Sequence, residues 1–422
     1  MVRKALSVTG DPSRTRVLYF FPHNPIPPRS GAHKRCLEVL AGLRELGCEV
    51  IFTSSTLSSE SKWQTSSIDE LKSLGVAQVR VHRAWSIDGR LSRTLLRVYR
   101  RLGIAVPINS MIYSPPIMRL WFWKLYREVG ADLIMMNYAY WDGLIRRRMR
   151  GAVRTVIDSY DLSTLHEAMS RRVNQLLPRF PIDPAQTDDR LVDEDFFARH
   201  EASAAASEYR VFDKYDLTIA ISGAEATLIQ QNTSRTTVLT LPMTYRIPAC
   251  RNDYSGAAIF PTGPTRLNLQ GYLYFAKRVL PRVLERCPDF LLQVTGTVCK
   301  QVVAQPGVGL MGFVPDLSRL YESARFLICP LLGKTGQQIK IVEAMAHGLP
   351  AIATRQAAEG SPIRHGQNGL VAGSAAELAD WVVRLWNDRA LCRKMGEAAR
   401  DTIAAECSRE HMVESLRAIL ID

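Results

Sequence analysis

Lys340 and Glu343 are the residues whose types and spacing most directly suggest chemistry. They stand three positions apart on a helix predicted over 337–346, so their side chains share one face. The glycine-containing loop 333–336 leads into this helix from a strand that ends at Cys329 and Pro330. The first turn of a helix offers free N–H groups and a positive dipole end, which suit a diphosphate. A cation beside phosphates and a carboxylate beside sugar hydroxyls would be useful there, but the same spacing also fits a solvated ion pair.

A second group of candidate residues follows two predicted strands in the first half of the chain. These residues are Asn137 and Tyr138 after the strand 132–136, and Asp158, Tyr160 and Asp161 after the strand 155–158. The carboxyl ends of parallel strands meet at one edge of a sheet, where α/β proteins bind ligands. Each residue also has a plain alternative, because a strand-end aspartate can cap the next helix and a loop aromatic can simply cover the core.

The strands and helices that would position these candidate residues alternate along the chain. The apolar run 16–21 predicts a strand buried on both faces, and a Pro/Gly-rich loop follows that carries His23 and Gly31. A helix over 32–46, ended by Gly47, and a strand over 48–52 complete a βαβ unit with a parallel crossover. His23 is a candidate site residue in this loop, although a lone loop histidine usually has no function.

The alternation continues and predicts an α/β protein built from two Rossmann-like domains. We expect a first domain over 1–245, a second over 256–400 and a C-terminal helix over 401–422. A polar, proline-containing stretch predicts an exposed insertion at about 178–190 within the first domain. Further helices are expected from about Asp195 to Tyr215 and from Leu273 to Arg286.

Composition excludes several classes of protein. The chain has 422 residues, of which 46% are hydrophobic, so it has ample material for folded cores. We find no apolar stretch of about 18 residues and no signal peptide, and we expect a cytoplasmic protein. The eight cysteines form no CxxC pairs and the eight histidines show no metal-ligand spacing, so we expect reduced thiols and no metal site.

Positive charge is concentrated in one region. The chain carries 54 Lys+Arg against 41 Asp+Glu, a formal net charge of +13. The region 85–155 contains 13 cations and 4 acids, which is +9, together with Trp121, Phe122 and Trp123. Basic and aromatic residues on helices suit the surface of an anionic membrane. The alternative is a solvated basic face over an aromatic core, and no nucleic-acid-binding pattern accompanies the charge.

The stretch Lys340–Pro350 resembles the nucleotide-sugar signature of the GT-B glycosyltransferases, in particular the retaining group 1 family (glycosyltransferase family 4). The helix of that family reads KxxEAMAxGxP, which this stretch matches position by position. Weaker resemblance includes Thr262-Gly263, the segment 312–316 and Pro28–Gly31. The resemblance implies two Rossmann-like domains facing across a cleft, with the last helix crossing back to the first domain.

The resemblance also implies roles for individual residues. Lys340 would pair with the donor diphosphate, with Arg266 as a second cation unless it is only a solvated loop residue. Glu343 would accept hydrogen bonds from the ribose. The other implied donor-binding residues are Gly31, Gly263, Thr335, Gly336 and Gln337. Asp158 and Asp161 would orient a sugar in catalysis, and the acceptor side would include His23, Asn137, Tyr138 and Tyr160.

One position departs from the family pattern. Many members carry two glutamates eight positions apart, and the residue eight before Glu343 is Thr335. The sugar contact made by that first glutamate would have to come from backbone N–H groups, Thr335 or another residue.

The implied activity is transfer of a sugar, with retention of configuration, from a UDP- or GDP-sugar to a glycan, lipid-linked or other hydroxyl acceptor. The leaving diphosphate would help to deprotonate the acceptor, and neither a metal nor a further cofactor is implied, because Lys340 and the helix dipole would replace the metal cation. The missing glutamate leaves room for an inactive homologue that serves as a binding or assembly subunit, and a sugar-nucleotide epimerase is a further alternative. The expected location is cytoplasmic, with peripheral contact at the inner face of a membrane through 85–155.

Overall fold

The computed structural model of the protein describes residues 15–57, 62–84, 86–108, 110–197, 203–249, 252–333 and 336–421. The chain forms two compact units. The first comprises Met1–Ser163, Ala204–Thr244 and Arg409–Asp422, and the second comprises Thr164–Ser203 and Tyr245–Ser408.

The first unit is built on a seven-stranded parallel sheet. Its strands are β1 (Arg16–Phe20), β2 (Glu49–Ser55), β3 (Gln78–His82), β4 (Leu133–Asn137), β5 (Arg154–Asp158), β6 (Leu217–Ala220) and β7 (Thr237–Thr240). Their order is β3-β2-β1-β4-β5-β6-β7. Val17 of β1 pairs with Val50 on one side and Leu133 on the other, and the apolar residues of β1 are fully buried, as expected for a central parallel strand.

Helices cover this sheet. In chain order they are α1 (Gly31–Glu45), α2 (Thr65–Ser73), α3 (Ser86–Arg101), α4 (Pro116–Val129), α5 (Arg147–Arg150), α6 (Ser163–Leu176), α7 (Ala206–Phe212) and α8 (Gly223–Asn232). Ser30 caps α1, where its hydroxyl accepts a hydrogen bond from the His33 N–H at 3.3 Å.

The second unit contains a six-stranded parallel sheet. Its strands are β8 (Ala258–Thr262), β9 (Leu292–Gly296), β10 (Val308–Gly312), β11 (Leu327–Cys329), β12 (Ala351–Thr354) and β13 (Gly369–Ala372), in the order β10-β9-β8-β11-β12-β13. Its further helices are α9 (Arg266–Tyr274), α10 (Leu280–Arg286), α11 (Ser318–Ser323), α12 (Ile339–Ala346), α13 (Arg355–Ala358), α14 (Ala375–Asn387) and α15 (Arg389–Glu406). A π-helical segment, Phe275–Val279, joins α9 to α10.

The chain returns to the first unit in its last helix, α16 (Arg409–Ile421), which packs on α1. The close contact depends on Gly42 of α1, where an added Cβ would lie 2.6 Å from Cδ1 of Leu416. Met412 and Leu416 are buried in the core beneath the sheet with Val39 and Leu43.

The two units divide the chain differently from the predicted domains. The excursion from the first unit spans Thr164–Ser203 rather than 178–190, and it belongs to the second unit. Part of its backbone is hydrogen-bonded there, because the Ile182 N–H donates to the Gln301 carbonyl and the Ile182 carbonyl accepts from the Val303 N–H, both at 2.8 Å. The return to the first unit occurs at Arg409 rather than at 401, since the preceding residues still belong to α15.

Two further expectations concern absences. Over the described ranges, no helix combines the length and apolar character that crossing a membrane requires. The seven described cysteines are free thiols, and all except Cys299 are buried.

Candidate active site

The loop between β11 and α12 places the strongest sequence motif at a helix start. Gly336 in this loop has φ +54°, a left-handed conformation that glycine adopts without steric penalty. The next residue, Gln337, donates from Nε2 to the Gly360 carbonyl at 3.1 Å and so ties the loop to the segment after α13. Thr335, a predicted donor contact, lies outside the described residues.

Lys340 lies in the first turn of α12 and is partly buried. Its ammonium group donates a hydrogen bond to Oδ1 of Asn268 and lies 4.8 Å from the ring centroid of Phe260. Burial lowers the pKa of Lys340, because the charged form loses solvation. Among the residues that the structure describes, a neutral amide and an aromatic face thus hold the ammonium group.

Asn268 is oriented by the loop that follows β8. Its Nδ2 donates to the hydroxyl of Thr265 at 2.8 Å and to the carbonyl of Gly263 at 3.3 Å, which turns Oδ1 towards Lys340. Thr265 is also the N-cap of α9 and accepts from the Asn268 N–H. The network thus links the start of α12 to the Gly263 loop, two regions that the sequence had predicted to share one site.

Glu343 lies one turn further along α12 and is 8% exposed. Its Oε1 accepts from the hydroxyl of Tyr245 at 2.8 Å, and its Oε2 accepts from Tyr321 at 3.5 Å. Burial, together with the nearby carboxylate, raises the pKa of both tyrosines well above the usual range, so they remain hydrogen-bond donors. Sequence reasoning missed Tyr245, which stands 98 positions from its partner and in no recognisable motif.

Arg266 and Gly263 border the same region of the second unit. Arg266 is the first residue of α9, and its guanidinium lies 5.3 Å from the ring centroid of Phe180. A Cβ at Gly263 would meet only Nδ2 of Asn268, at 3.5 Å, so packing within the protein does not itself require glycine there.

Asp158 in the first unit is fully buried at the end of β5. Both of its oxygens accept hydrogen bonds from Arg35, at 2.9 and 3.1 Å, and Arg35 donates further to the carbonyl of Leu241 at 2.8 Å. This paired ion bridge joins α1 to the strands at the centre of the sheet. In this structure Asp158 holds the framework in place and presents no surface to a sugar.

Asn137, another predicted acceptor contact, is also fully buried. Its Oδ1 accepts from the hydroxyl of Tyr19 at 3.2 Å, and its Nδ2 donates to the carbonyl of Phe20 at 2.6 Å. Asn137 therefore fixes the ends of β1 and β4 instead of facing outward.

The remaining acceptor-side candidates gather around the ring of Phe21. The rings of His23, Tyr138 and Tyr160 lie 5.7, 6.3 and 5.9 Å from it, and the two tyrosines stack at 4.6 Å. Tyr138 and Tyr160 have φ of 66° and 61°, a strained conformation for residues with a side chain. Gly31 is the first residue of α1, directly after the capping residue Ser30. In sequence it lies eight positions after His23.

Glu225 is a buried carboxyl group near these residues that sequence reasoning did not select. It is 4% exposed and accepts a hydrogen bond from the Ser159 hydroxyl at 2.9 Å. Burial, reinforced by the charge of Asp161, raises the pKa of Glu225 to about 8. Asp161 itself is partly exposed and follows β5 as expected.

The two Rossmann-like units define the GT-B class of glycosyltransferase folds. Sucrose-phosphate synthase from Thermosynechococcus elongatus matches with a TM-score of 0.63 and 15% identity, covering 96% of this chain and 98% of that one. HepE from Anabaena, solved with UDP and glucose, matches with a TM-score of 0.54 and 14% identity over 96% and 99%. At these identities the likeness establishes the fold alone.

The sequence matches cover part of the chain. Residues 258–388, within the second unit, match the family model described as Glycosyl transferases group 1. The N-acetyl-alpha-D-glucosaminyl L-malate synthase of Bacillus anthracis is 34% identical over 84 residues, which are 19% of this chain and 22% of that protein. The chain matches between 22% and 33% of the length of its curated relatives. Residues 258–388 of the second unit are thus similar to the group 1 glycosyl transferases.

Proposed function

We propose that this protein is a glycosyltransferase that moves a sugar from a nucleotide-diphosphate sugar to a hydroxyl acceptor. The group 1 match over 258–388 supports this assignment, as does the fold shared with HepE, whose structure was solved with UDP and glucose. The observation that carries the proposal is the placement of Lys340 in the first turn of α12, held by Asn268.

Lys340 would stabilise the diphosphate leaving group. Negative charge grows on the bridging oxygen as the glycosidic bond breaks, and a fixed cation lowers the energy of that state. The free N–H groups at the start of α12 would add to this stabilisation. These groups would supply positive charge without a metal ion, and the diphosphate would take the acceptor proton on the face it leaves, so that configuration is retained.

Glu343 would accept hydrogen bonds from the ribose of the donor. Tyr245 and Tyr321 hold the carboxylate in one orientation, which reduces the entropy lost when the nucleotide binds. This role concerns binding more than chemistry, so we expect Glu343→Gln to raise KM more than it lowers kcat.

We also propose that the acceptor is a glycan or lipid-linked molecule reached at an anionic membrane surface. The support is α3, on which Arg93 and Arg97 are exposed beside exposed Val98, with Leu102 exposed directly after the helix. Basic and apolar groups presented together are typical of helices that lie in a membrane interface.

Donor hydrolysis tests the proposed activity. UDP- and GDP-sugars are incubated with the full chain, and release of the nucleoside diphosphate is measured without acceptor. We expect turnover of one donor, a loss of about a hundredfold in kcat with Lys340→Ala, and normal turnover with the exposed control Lys394→Ala. A chain that binds nucleotide but turns over no donor, even with added acceptors, would instead be a binding subunit.

Glu343→Gln is compared with Glu285→Gln, which changes an exposed carboxylate on α10. Undiminished hydrolysis in both Lys340→Ala and Glu343→Gln would refute this site. Accumulation of an isomerised nucleotide-sugar would identify an epimerase.

A further inference from the structure

A cavity of about 980 Å³ in the first unit is lined mainly by cations. The cavity lies beside α5. Its lining residues Gly151, Lys214 and Arg235 stand two or three positions before the strands β5, β6 and β7, respectively. Six of its eleven lining residues are basic and two are acidic, a net formal charge of +4. The basic residues are Arg119, Arg146, Arg147, Arg150, Lys214 and Arg235.

The two carboxylates in the cavity are already engaged. Asp142 is buried and accepts hydrogen bonds from Arg150 and from Lys214, the latter at 2.6 Å. Asp213 accepts from the backbone N–H groups of Ser234 and Arg235, both at 2.8 Å. Asp142 is therefore shared between Arg150 and Lys214, and a surplus of four positive charges remains when both carboxylates are counted.

Several of those guanidinium groups face solvent within the cavity. Arg146, Arg147 and Arg235 are exposed. Over the described ranges, Arg147 and Arg235 form no side-chain hydrogen bond or ion pair, whereas Arg146 lies 5.7 Å from the ring centroid of Trp123. Arg119 is fixed by its hydrogen bonds to the carbonyl and hydroxyl of Ser114, at 2.6 and 3.0 Å.

Concave surfaces of one charge concentrate the electrostatic field and attract counter-ions. Guanidinium groups are planar forks that match two oxygens of a phosphate at once. A ligand with two or more negative charges would offset more of this surplus than a singly charged ion. We propose that this arginine cavity binds a ligand with two or more phosphate charges, either a free phosphate compound or phosphate headgroups of a lipid.

The cavity is separate from the residues at the carboxyl end of the first sheet. Gly151 and Lys214 each stand three positions before a strand, so they mark the amino-terminal edge, whereas Asp158 ends β5 at the opposite edge. The inference therefore does not rest on the proposed transfer reaction, and it adds a second anion site to the molecule.

Calorimetric titration with inorganic pyrophosphate tests the cavity. The full chain carries Lys340→Ala, so that pyrophosphate at the proposed donor site does not contribute. We expect Arg147→Glu with Arg235→Glu to weaken binding about tenfold or more, because charged hydrogen bonds are lost and repulsion is introduced. The control, Lys72→Glu with Arg417→Glu, makes the same charge change at exposed positions of the same unit and should bind normally.

A second measurement separates the two sources of phosphate. The same variants, with Lys340 retained, are sedimented with phosphatidylglycerol-containing vesicles and with pure phosphatidylcholine vesicles. A selective loss of pyrophosphate binding identifies a soluble ligand, and a loss confined to anionic vesicles identifies a lipid headgroup. Equal behaviour of cavity and control variants in both measurements overturns the proposal, and unchanged melting temperatures establish that both variants fold.

Discussion

Asn268 accepts the hydrogen bond that the Lys340 ammonium group donates. A neutral amide orients the cation without neutralising it, so the charge stays available for phosphates. The amide is fixed in turn by Thr265 and Gly263. We infer that Asn268 acts as a positioning residue through Lys340.

Replacing Asn268 by alanine tests that role. Without the amide, Lys340 gains rotational freedom, and we expect kcat/KM for donor hydrolysis to fall about tenfold, corresponding to one lost charged hydrogen bond. Asn232→Ala, an exposed change at the end of α8, serves as the control. An unchanged kcat/KM in a folded Asn268→Ala protein would show that Lys340 needs no such support.

Glu225 should make stability depend on pH. Its folded-state pKa of about 8 lies far above the value of about 4.3 expected in the unfolded chain. Between these values the folded protein binds the extra proton, so the free energy of unfolding falls as pH rises through this window. The charged groups facing Glu225 are Asp161, Asp158 and Arg35, of which the last two already pair with each other.

We expect Glu225→Gln to remove this dependence. The amide oxygen can still accept from Ser159, while the buried negative charge at high pH is lost. The melting temperature of the variant should exceed that of the wild type by a few degrees above pH 8, with the difference shrinking towards pH 5. Glu285→Gln should show no such trend, and a parallel pH profile for Glu225→Gln and wild type would contradict the assignment.

A local motif can be recognised in a sequence, whereas a pairing between residues far apart in the chain cannot. Lys340 and Glu343 were recognisable because the helix, the loop and the spacing occur together. Arg35 and Asp158 are 123 positions apart, and nothing local marks either as half of a buried ion pair. Asp158 was therefore predicted to be a site residue, although both oxygens of its carboxylate accept hydrogen bonds from Arg35.

The predicted helix boundaries are wrong where local hydrogen bonds or close packing override the helical periodicity of the sequence. The helix expected from Asp195 is absent at its start, because the Asp195 N–H donates to the Asp193 side chain in a turn. The helix expected from Leu273 instead begins at Arg266. Within α9, a Cβ at Gly271 would lie 2.7 Å from Cδ2 of Leu331 and 3.1 Å from the Pro330 carbonyl oxygen, so close packing favours glycine inside this helix.

The last helix provides a direct test of packing at this scale. Leu416 is fully buried against Gly42 of α1, and Leu416→Ala leaves a cavity in that contact. We expect the free energy of unfolding of the first unit to fall by roughly 2–5 kcal/mol. The neighbouring exposed change Arg417→Ala should have little effect, and a similarly small loss for Leu416→Ala would mean that α16 contributes little to this unit.

For the whole molecule, sequence periodicity predicted two parallel α/β units but not which unit holds each segment. The backbone groups of an irregular segment form hydrogen bonds with whichever partners the fold brings near. The hydrophobic periodicity of the sequence does not show which partners these are. The segment Thr164–Ser203 illustrates this, since its partner Val303 lies over a hundred positions away. By contrast, the sequence alone shows that positive charge is concentrated over 85–155, because the net charge of a region depends only on which residues it contains.

If the first unit binds an anionic membrane as proposed, its charge and its apolar surface should respond differently to salt. Electrostatic attraction to anionic lipid falls as salt rises, whereas burial of apolar side chains in the interface persists. Val98 and Leu102 are 47% and 63% exposed at the end of α3, so they are placed to supply the part of the binding that resists salt.

Val98→Ser with Leu102→Ser should therefore spare binding to phosphatidylglycerol vesicles at low salt and abolish it at high salt. Leu74→Ser, at a residue that is 42% exposed after α2, is the control and should follow the wild type at both salt concentrations. If the double variant also matches the wild type at high salt, α3 is a solvated face and the acceptor is met elsewhere.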